Sequence, residues 1–481
     1  MAISYDQLVK LVMKFVFGTL LFSLLLTSSF LLWTFENQSK KEPISKQVSP
    51  KQTEEGSLLF FQLLSAPDKT TQDAIIKKIG AHWRESYEIL LLESFYFSDS
   101  PRVRTLLIEL FQKKTKQPVD TDLDSWLQYV WNKEPSYTPD YFEFKATLYR
   151  GIDRKFENYF KDRAKESLIR LDEVRWGGVL QDGIPPLRRP KMISAEKANY
   201  LRDGNIVFGI EVNGEARAYP KRIMAWHEMF VDSIGGIPLA GVYCTLCGTV
   251  ILYKTVHKGK NHELGTSGFL YRSNKLMYDK ATQSLWSTLE GKPVIGPLVD
   301  KGIALEYMSV VTTTWGQWKK LHPNTSVLSL DTGHSRNYGE GVAYKEYFAT
   351  DDLMFTVPKI DTSLKNKDEI LSIRLPHKTD KKLAIASKYL RKNKIYHSNL
   401  DGIPFTVFTD RTGAHRVYFT EEFQFKDYDK GVVVHDQNGV QWTLTEAKMI
   451  RSTGEELPRF PTHNAFWFGY KAAFPDAELI K

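Results

Sequence analysis

The two cysteines of the chain, Cys244 and Cys247, are three positions apart in the segment YCTLCGT, residues 243–249. Apolar and β-branched runs flank them at 236–242 and 249–253, and such runs are typical of strands. The pair is therefore predicted to lie in a tight turn between two strands, where Gly248 can adopt a positive φ. Two thiols at this spacing could form a structural disulfide, exchange electrons with a partner or chelate a soft metal ion.

A metal site would need further ligands, because a closed structural zinc site has four and the chain contains two sulfurs from cysteine. His227, His257 and His262 are near enough in sequence to be candidates, and His227 is the best placed of them. Copper(I) would suit two thiolates without further ligands. The cofactor expected on this alternative is therefore a zinc or a copper ion, held by Cys244, Cys247 and His227.

A redox site would need a group that favours the thiolate. Arg272 lies within about forty residues of the pair, and a guanidinium beside a thiol lowers the pKa of that thiol. The alternative is that Arg272 pairs with Asp279. Glu228 could carry protons, or it could be an ordinary acid on a helix surface. A thioredoxin fold is disfavoured, because Cys247 is followed by a glycine and a strand rather than by a helix.

The elements around the pair are predicted to be mostly β. Residues 206–212 and 215–220 form a hairpin through Asn213-Gly214, and residues 226–228 lie on a short helix or turn. The pattern then recurs in degenerate form. Residues 239–253 align with 405–419, where the cysteines are absent, and Trp315-x7-Pro323 recurs as Trp467-x7-Pro475. A second lobe that lacks both cysteines indicates that the fold does not need them, which favours a functional pair.

The segment before this body is predicted to be helical. Ser100 and Pro101 together form a helix start, with a serine N-cap and a proline in the first turn. The apolar residues that follow share one helix face: Val103, Leu106, Leu107, Leu110 and Phe111. Residues 73–92, 123–131 and 141–160 show similar patterns.

The N-terminus contains a run of 19 uncharged residues at 15–33. At about 1.5 Å per residue such a helix almost crosses a bilayer core of ~30 Å. Lys10 and Lys14 precede it, so the sequence predicts a single-pass anchor with the body on the extracytoplasmic side. A polar linker follows at 34–56. In an exported body the cysteine pair would be oxidised unless a partner reduced it.

The predicted fold class is α+β, with an anchor helix, a helical domain and a mostly β body of two degenerate repeated lobes. Its predicted divisions are an anchor at 1–33, a linker at 34–56, a helical domain at 57–171, the cysteine-containing lobe at 172–330, an irregular excursion at 331–380 and a second lobe at 381–481. The net charge is +8 and the pI about 9.0, but the basic residues form no stripe and no nucleic-acid motif is present. The expected partners are the membrane and a redox protein rather than nucleic acid.

The order of motifs resembles one bacterial and archaeal family, domain of unknown function 3179. The matching pieces are the Trp-Gly-Gly opening at 176–178 and DGIPPL, VNGEARAYP, WHE, YCTLCG, SGFLYRSN, MYDKATQSLW and TTTWGQWKKLHPNTSVL. They cover residues 172–330, and the resemblance extends more loosely to the C-terminus.

The resemblance brings no established activity. Some members of the family are described as probable selenoproteins, with selenocysteine in place of one cysteine of the pair. The resemblance thus implies redox use of Cys244 and Cys247. Three hypotheses result: thiol–disulfide redox chemistry, metal binding or transfer by the same cysteines, and a non-catalytic β-rich binding module with a structural disulfide.

Overall fold

The computed structural model describes residues 55–117, 122–375, 378–429 and 431–481. These residues form helices and several β-sheets, in two compact units. The proposed anchor at 15–33 and the linker up to residue 54 lie outside the described residues. Within the described ranges, no helix combines the length and the apolar character needed to cross a bilayer.

One unit comprises the described residues up to Gln181, together with Thr282–Leu285 and Val294–Val299. It is largely helical. Its helices are α1 (Glu55–Ser65), α2 (Lys69–Ala81), α3 (Tyr87–Phe97), α4 (Pro101–Thr115), α5 (Leu123–Trp131), α6 (Tyr141–Arg150) and α7 (Glu157–Phe160), followed by the short strand β1 (Val174–Trp176). The predicted start of α4 is confirmed, because the Ser100 hydroxyl oxygen accepts a hydrogen bond from the Val103 amide at 3.3 Å and Pro101 is the first helical residue.

The periodic run predicted over residues 73–92 is two helices rather than one. Helix α2 ends at Ala81, and His82 caps it through a backbone hydrogen bond to the Lys78 carbonyl. Helix α3 is buried from Tyr87 to Ser94, including Glu93, which receives a hydrogen bond from the Lys145 ammonium at 2.6 Å. A helix that is buried on every side shows no amphipathic stripe, so its sequence merges with that of the helix before it.

The other unit comprises Asp182–Ala281, Trp286–Pro293 and the described part of Asp300–Lys481. Its first half, up to residue 328, contains the cysteines. The strands are β2 (Leu187–Arg188), β3 (Met192–Ser194), β4 (Ile206–Val212), β5 (Glu215–Pro220), β6 (Met229–Ile234), β7 (Ile237–Cys244), β8 (Thr249–Lys254), β9 (Val256–His257), β10 (Lys260–Asn261), β11 (Leu264–Tyr271), β12 (Asn274–Asp279), β13 (Leu285–Ser287), β14 (Lys292–Ile295), β15 (Tyr307–Met308), β16 (Val311–Thr314) and β17 (Ser326–Leu328). Strands β13 and β14 contain points where the chain passes from one unit to the other. Helix α8 (Lys221–His227) follows β5, and helix α9 (Trp315–Leu321) follows β16.

Two hairpins of this half were predicted from sequence and are confirmed. Strands β4 and β5 pair antiparallel through Asn213 and Gly214, both of which have positive φ, at 50° and 82°. This conformation is the one that a two-residue hairpin turn requires. Strands β7 and β8 also pair antiparallel, with Cys244 opposite Thr249, and Gly248 in the intervening turn has φ 59°.

The second half begins after an excursion at 329–368 that contains helix α10 (Lys345–Ala349). Its elements are β18 (Glu369–Arg374), β19 (Lys382–Ala386), α11 (Ser387–Lys392), β20 (Ile395–Leu400), β21 (Ile403–Thr409), β22 (His415–Phe419), β23 (Phe425–Asp429), β24 (Val433–Asp436), β25 (Gln441–Leu444), β26 (Lys448–Arg451), β27 (Glu456–Pro458), β28 (Thr462–Phe466), α12 (Trp467–Ala473) and β29 (Glu478–Ile480).

Both halves use one order of elements and one pairing scheme. In the first half the sheet order is β16-β4-β5-β17-β3, and in the second it is β28-β18-β19-β29. Across the four strands that correspond, the first two pairings are antiparallel and the third is parallel. The additional edge strand β3 pairs antiparallel with β17. The antiparallel strands β6-β7-β8 correspond in the same way to β20-β21-β22. The hairpin that contains the disulfide therefore has a counterpart without cysteines.

Strand β18 lies inside the stretch that was predicted to be an irregular excursion, residues 331–380. Five of its six residues, Ile370 to Arg374, are buried. A strand that is buried on both faces shows no alternation of apolar and polar residues, and this one follows the charged run KNKDE. Sequence patterning therefore gave no reason to separate it from the charged residues before it.

Three buried histidines of the second unit should make its stability depend on pH. Burial is the main cause that lowers the pKa of His227 to about 4, and of His415 and His463 to about 3. In the unfolded chain a histidine has a pKa of about 6.5. The unfolded state therefore takes up protons first as the pH falls, and the free energy of unfolding decreases below about pH 6.5, by up to about 1.4 kcal/mol per pH unit for each histidine.

Chemical denaturation of the full chain between pH 7 and pH 4 measures this slope. Replacing His415 with glutamine should flatten it, because one proton fewer is taken up on unfolding. Replacing His82 with glutamine is the control, since that side chain is exposed in the folded state. Equal slopes for the parent chain and His415→Gln would contradict the prediction.

Candidate functional site

Cys244 and Cys247 form a disulfide in the turn between β7 and β8, with their Cα atoms 5.5 Å apart. Cys244 is the last residue of β7, and Cys247 lies in the turn itself. Both are buried, with 2% and 1% of their surface exposed. The sulfurs are therefore oxidised and shielded from solvent in this conformation.

A hydrophobic cluster covers the disulfide from two later parts of the chain. One part is the segment 344–357, which we call the cover segment, and the other is the junction of β28 with α12. The cluster contains the buried residues Cys244, Leu246, Cys247, Leu270, Tyr347, Phe355, Val357, Phe466, Phe468 and Ala472. A part of the predicted excursion thus lies over the cysteines, together with the β28–α12 junction.

Two hydrogen bonds fix the disulfide turn to its surroundings. The Tyr347 hydroxyl donates to the Leu246 carbonyl at 2.7 Å, and the Phe466 amide donates to the Cys247 carbonyl at 2.8 Å. Buried carbonyl groups are costly to leave without a donor. The disulfide turn is thereby attached to the cover segment through Leu246 and to the start of α12 through Cys247.

Two glycines allow the close packing at the disulfide. A Cβ atom on Gly248 would lie 2.7 Å from the Phe466 ring, and a Cβ atom on Gly469 would lie 2.9 Å from the Cβ atom of Cys247. Gly248 has in addition a positive φ, at which other residues are strained. Helix α12 can approach the disulfide because position 469 has no side chain.

A buried ion pair lies next to the disulfide turn. Glu228, which follows α8 with φ 54°, is 4% exposed and is paired with the ammonium group of Lys275. The Thr245 hydroxyl, between the two cysteines, donates to Glu228 Oε1 at 2.6 Å, and the Tyr344 hydroxyl donates to the same oxygen at 3.1 Å. The interpretation of Glu228 as a helix-surface acid is thus wrong, because its carboxylate is enclosed by donors.

The tyrosines at this carboxylate keep their protons. Burial, and then the nearby charge of Glu228, raise the pKa of Tyr344 well above its usual value. The same two causes raise the pKa of Tyr243. Tyr344 is therefore a permanent hydrogen-bond donor to Glu228, and it belongs to the cover segment. The cover segment thus has a polar attachment to Glu228 as well as its apolar contacts.

Arg272 is held at the end of helix α12. Its Nη1 atom donates to the Ala472 carbonyl at 3.1 Å, in the last turn of that helix. A cation is favourable at this position because of the helix dipole. The adjacent Asn274 donates to the Gly469 carbonyl at 2.9 Å, and Gly469 faces Cys247. Arg272 thus belongs to the loop that secures α12, and its action on a cysteine thiol stays a prediction.

His227 is engaged on both ring nitrogens. Its Nδ1 atom lies 2.9 Å from the Pro185 carbonyl and its Nε2 atom 2.6 Å from the Tyr338 hydroxyl. Burial is the first cause that lowers its pKa to about 4, followed by His334 and Arg336. The ring is therefore neutral at pH 7; Nδ1–H donates to Pro185, and Tyr338 donates to Nε2.

In the part of the chain that the structure describes, no group of three or more histidine, cysteine or acidic side chains could hold a metal ion. Both ring nitrogens of His227 are engaged by Pro185 and Tyr338, and a role for His227 as a metal ligand beside Cys244 and Cys247 stays a prediction. Of the other candidates, His262 is buried with Nδ1 3.2 Å from the Asp279 carboxylate, and His257 lies on β9.

Sequence reasoning missed the cover segment and the role of Lys275. One signal was present, because Tyr344, Tyr347 and Phe348 have the i, i+3, i+4 spacing of a helix face. The charged residues around them hid it. Lys275 gave no signal, since a lysine on a strand is ordinarily exposed.

The fold and the site define a class of protein, a β-rich body of two corresponding halves in which one hairpin carries a buried disulfide. A family model described as "Protein of unknown function (DUF3179)" matches residues 181–477. The chain belongs to the DUF3179 family, and the resemblance noted from its motifs is confirmed. No curated protein and no solved structure matches the chain.

The contact of α12 with Cys247 gives a direct test of the packing. Gly469→Ala should lower the free energy of unfolding by about 1–3 kcal/mol, because the new methyl group meets an atom next to the backbone that cannot move aside. Gly204→Ala is the matched control, since nothing lies within 4 Å of a Cβ atom there. Urea denaturation measures both. A Gly469→Ala variant as stable as the control would show that α12 does not press on the disulfide turn.

Proposed function

We propose that Cys244 and Cys247 carry out thiol–disulfide exchange with a dithiol partner. The observation that carries the proposal is the counterpart hairpin, β21–β22, which closes between Thr409 and His415 with no cysteine. We infer that the two halves arose by duplication. A hairpin of this topology therefore folds without a disulfide. The presence of Cys244 and Cys247 is then explained by a role other than closing the turn.

The size of the loop supports the same conclusion. The disulfide joins residues three apart, so it removes little freedom from the unfolded chain. The chain-entropy relation gives a stabilisation of about 2 kcal/mol for so short a loop, less than for longer ones. A structural bridge would stabilise the fold more if it joined distant segments.

The proposed exchange conserves atoms and electrons. A thiolate of the partner attacks one sulfur of the disulfide, the S–S bond breaks, and the other cysteine leaves as a thiolate that takes a proton. The second thiol of the partner then attacks the mixed disulfide. The partner loses two electrons and two protons and becomes a disulfide, while Cys244 and Cys247 gain both and become a dithiol. The reverse sequence reduces the partner.

The groups beside the turn support this chemistry. When the bond opens, a buried thiolate needs a proton or a compensating charge. The pair formed by Glu228 and Lys275 is joined to the turn by the Thr245 hydroxyl. We assign this pair the role of supplying that proton or compensating charge. We assign the cover segment the role of controlling access to the sulfurs.

The first test is the reduction potential of the full chain, measured by equilibration with dithiol buffers and alkylation of the free thiols. The expected potential lies above about −300 mV, because structural disulfides lie below that value. The disulfide should also be reduced by these buffers while the protein is folded, at neutral pH. A lower potential, together with a disulfide that is reduced only in denaturant, would show that the disulfide is a structural bridge. Stoichiometric zinc or copper taken up by the reduced chain would favour the metal alternative.

The single variants Cys244→Ser and Cys247→Ser separate the two steps. Each leaves one thiol that cannot close the intramolecular bond, so the variant that loses the resolving cysteine should retain a partner as a mixed disulfide. The double variant is the control and should retain none. If neither single variant forms a mixed disulfide and all variants keep every measurable phenotype, the exchange proposal fails.

We further propose that residues 15–33 anchor the chain and that the body lies on the extracytoplasmic side. The uncharged run, the lysines before it and a disulfide suited to an oxidising compartment support this placement. Extraction of membranes at alkaline pH should leave the full chain in the pellet, and deletion of residues 15–33 should release it. Full release of the intact chain would contradict the anchor.

A further inference from the structure

A cleft of about 490 Å³ opens on the second unit, between residues 200 and 222 and the loop 330–338. Its lining includes Tyr200, Arg222, His334, Arg336 and Tyr338. No carboxylate is among the lining residues. Two guanidinium groups and a histidine thus face one cavity, and such a surface attracts anions.

The two arginines have donors to spare. Within the described residues, Arg222 donates one hydrogen bond, to the Tyr200 carbonyl at 2.7 Å, and Arg336 donates one, to the Ser335 carbonyl at 2.9 Å. The Nε atom of Arg222 is buried without a hydrogen-bond acceptor. The nearest acid is Glu340, at 3.4 Å from that nitrogen, and 46% of its side chain is exposed. Since a guanidinium carries five donor hydrogens, most of this capacity is unused.

The cleft is also held in shape. Helix α8 provides Arg222, and the Trp226 indole of the same helix donates to the Asn337 carbonyl at 2.9 Å. Tyr338 donates to His227, so the Thr332 hydroxyl, 2.7 Å away, donates to the Tyr338 oxygen. The loop that carries Arg336 is thereby joined to α8 at two adjacent residues, Asn337 and Tyr338.

Positive groups of this loop act on His227. After burial, His334 and Arg336 are the groups that lower the pKa of the neighbouring His227. The His334 and His227 rings lie 5.2 Å apart. A bound anion would offset this field. Planar guanidinium groups bind the oxygens of phosphate and carboxylate groups in pairs of parallel hydrogen bonds.

We propose that the cleft is a binding site for a small oxyanion-bearing ligand, with a phosphate or carboxylate group held between Arg222 and Arg336. The site is independent of the exchange chemistry proposed above. Two of its lining residues, Asn337 and Tyr338, contact residues 226 and 227, which directly precede Glu228 at the disulfide turn. A ligand here would be bound beside the loop that leads into the cover segment.

Calorimetric titration of the full chain tests the proposal, with inorganic phosphate in one arm and succinate in the other, at constant ionic strength in chloride. Arg336→Gln is the main variant, because its exposed side chain is not needed for folding. It should weaken binding about tenfold or more, the loss of one charge-assisted pair of hydrogen bonds. Arg222→Gln should act in the same direction. Arg411→Gln, which removes an exposed arginine elsewhere in the same unit, is the matched control.

Binding of either probe that Arg336→Gln weakens and Arg411→Gln does not supports the site. The tighter of the two probes then identifies the head group as phosphate or carboxylate. Three results would overturn it: no binding of either probe at millimolar concentration, equal weakening by Arg411→Gln, or binding that Arg336→Gln leaves unchanged. The double cysteine variant should bind as the parent chain does, so failure of the exchange proposal leaves this test unaffected.

Discussion

The hydrogen bond from the Phe466 amide to the Cys247 carbonyl joins the disulfide turn to the opposite half of the same unit. Helix α12 begins at the next residue, and its Gly469 packs on Cys247. The counterpart turn is closed in the reciprocal way, since Ala414 packs with Trp315 and Trp318, of which Trp315 begins α9. Each half thus provides the strand–helix element that buries the turn of the other. Neither turn would be enclosed by its own half alone, so the halves depend on each other.

The two buried turns are stabilised by different interactions. At the counterpart turn the Asp410 carboxylate accepts backbone hydrogen bonds from Thr412 and Ala414, at 2.8 and 3.2 Å, and it pairs with the buried Arg416. Arg416 also pairs with Glu446 at 2.7 Å and lowers the pKa of that carboxyl, although burial opposes the shift. A charged network closes this turn, whereas the other is closed by a disulfide and an apolar cluster, with the buried Glu228–Lys275 pair bonded to it through Thr245. The counterpart turn is thus closed without a disulfide, and this difference between the two turns supports the proposed exchange role of the cysteines.

Residues 226–228 connect the features that the proposals use. Trp226 holds the loop of the cationic cleft, His227 is kept neutral between Pro185 and Tyr338, and Glu228 reaches the disulfide turn through Thr245. The left-handed φ of Glu228 directs the chain from α8 into β6 at this point. Three consecutive side chains of different chemistry thereby face three different surroundings. A change at the cleft and a change at the disulfide would both act on the same short segment.

The sequence by itself determined the local elements around the site. Adjacent strands, Asn213-Gly214 and Gly248 specify the hairpins, Ser100-Pro101 specifies a helix start, and the motifs specify the family. These features depend on residues near each other in the chain, so their types and spacing are sufficient. The tertiary structure alone decided what surrounds the disulfide. Lys275 pairs with Glu228 across 47 positions, and Tyr347 reaches Leu246 across 101, because sheet pairing brings distant segments together. Burial of a carboxylate, a lysine or a fully enclosed strand leaves no periodic trace in sequence, and packing in three dimensions fixes it.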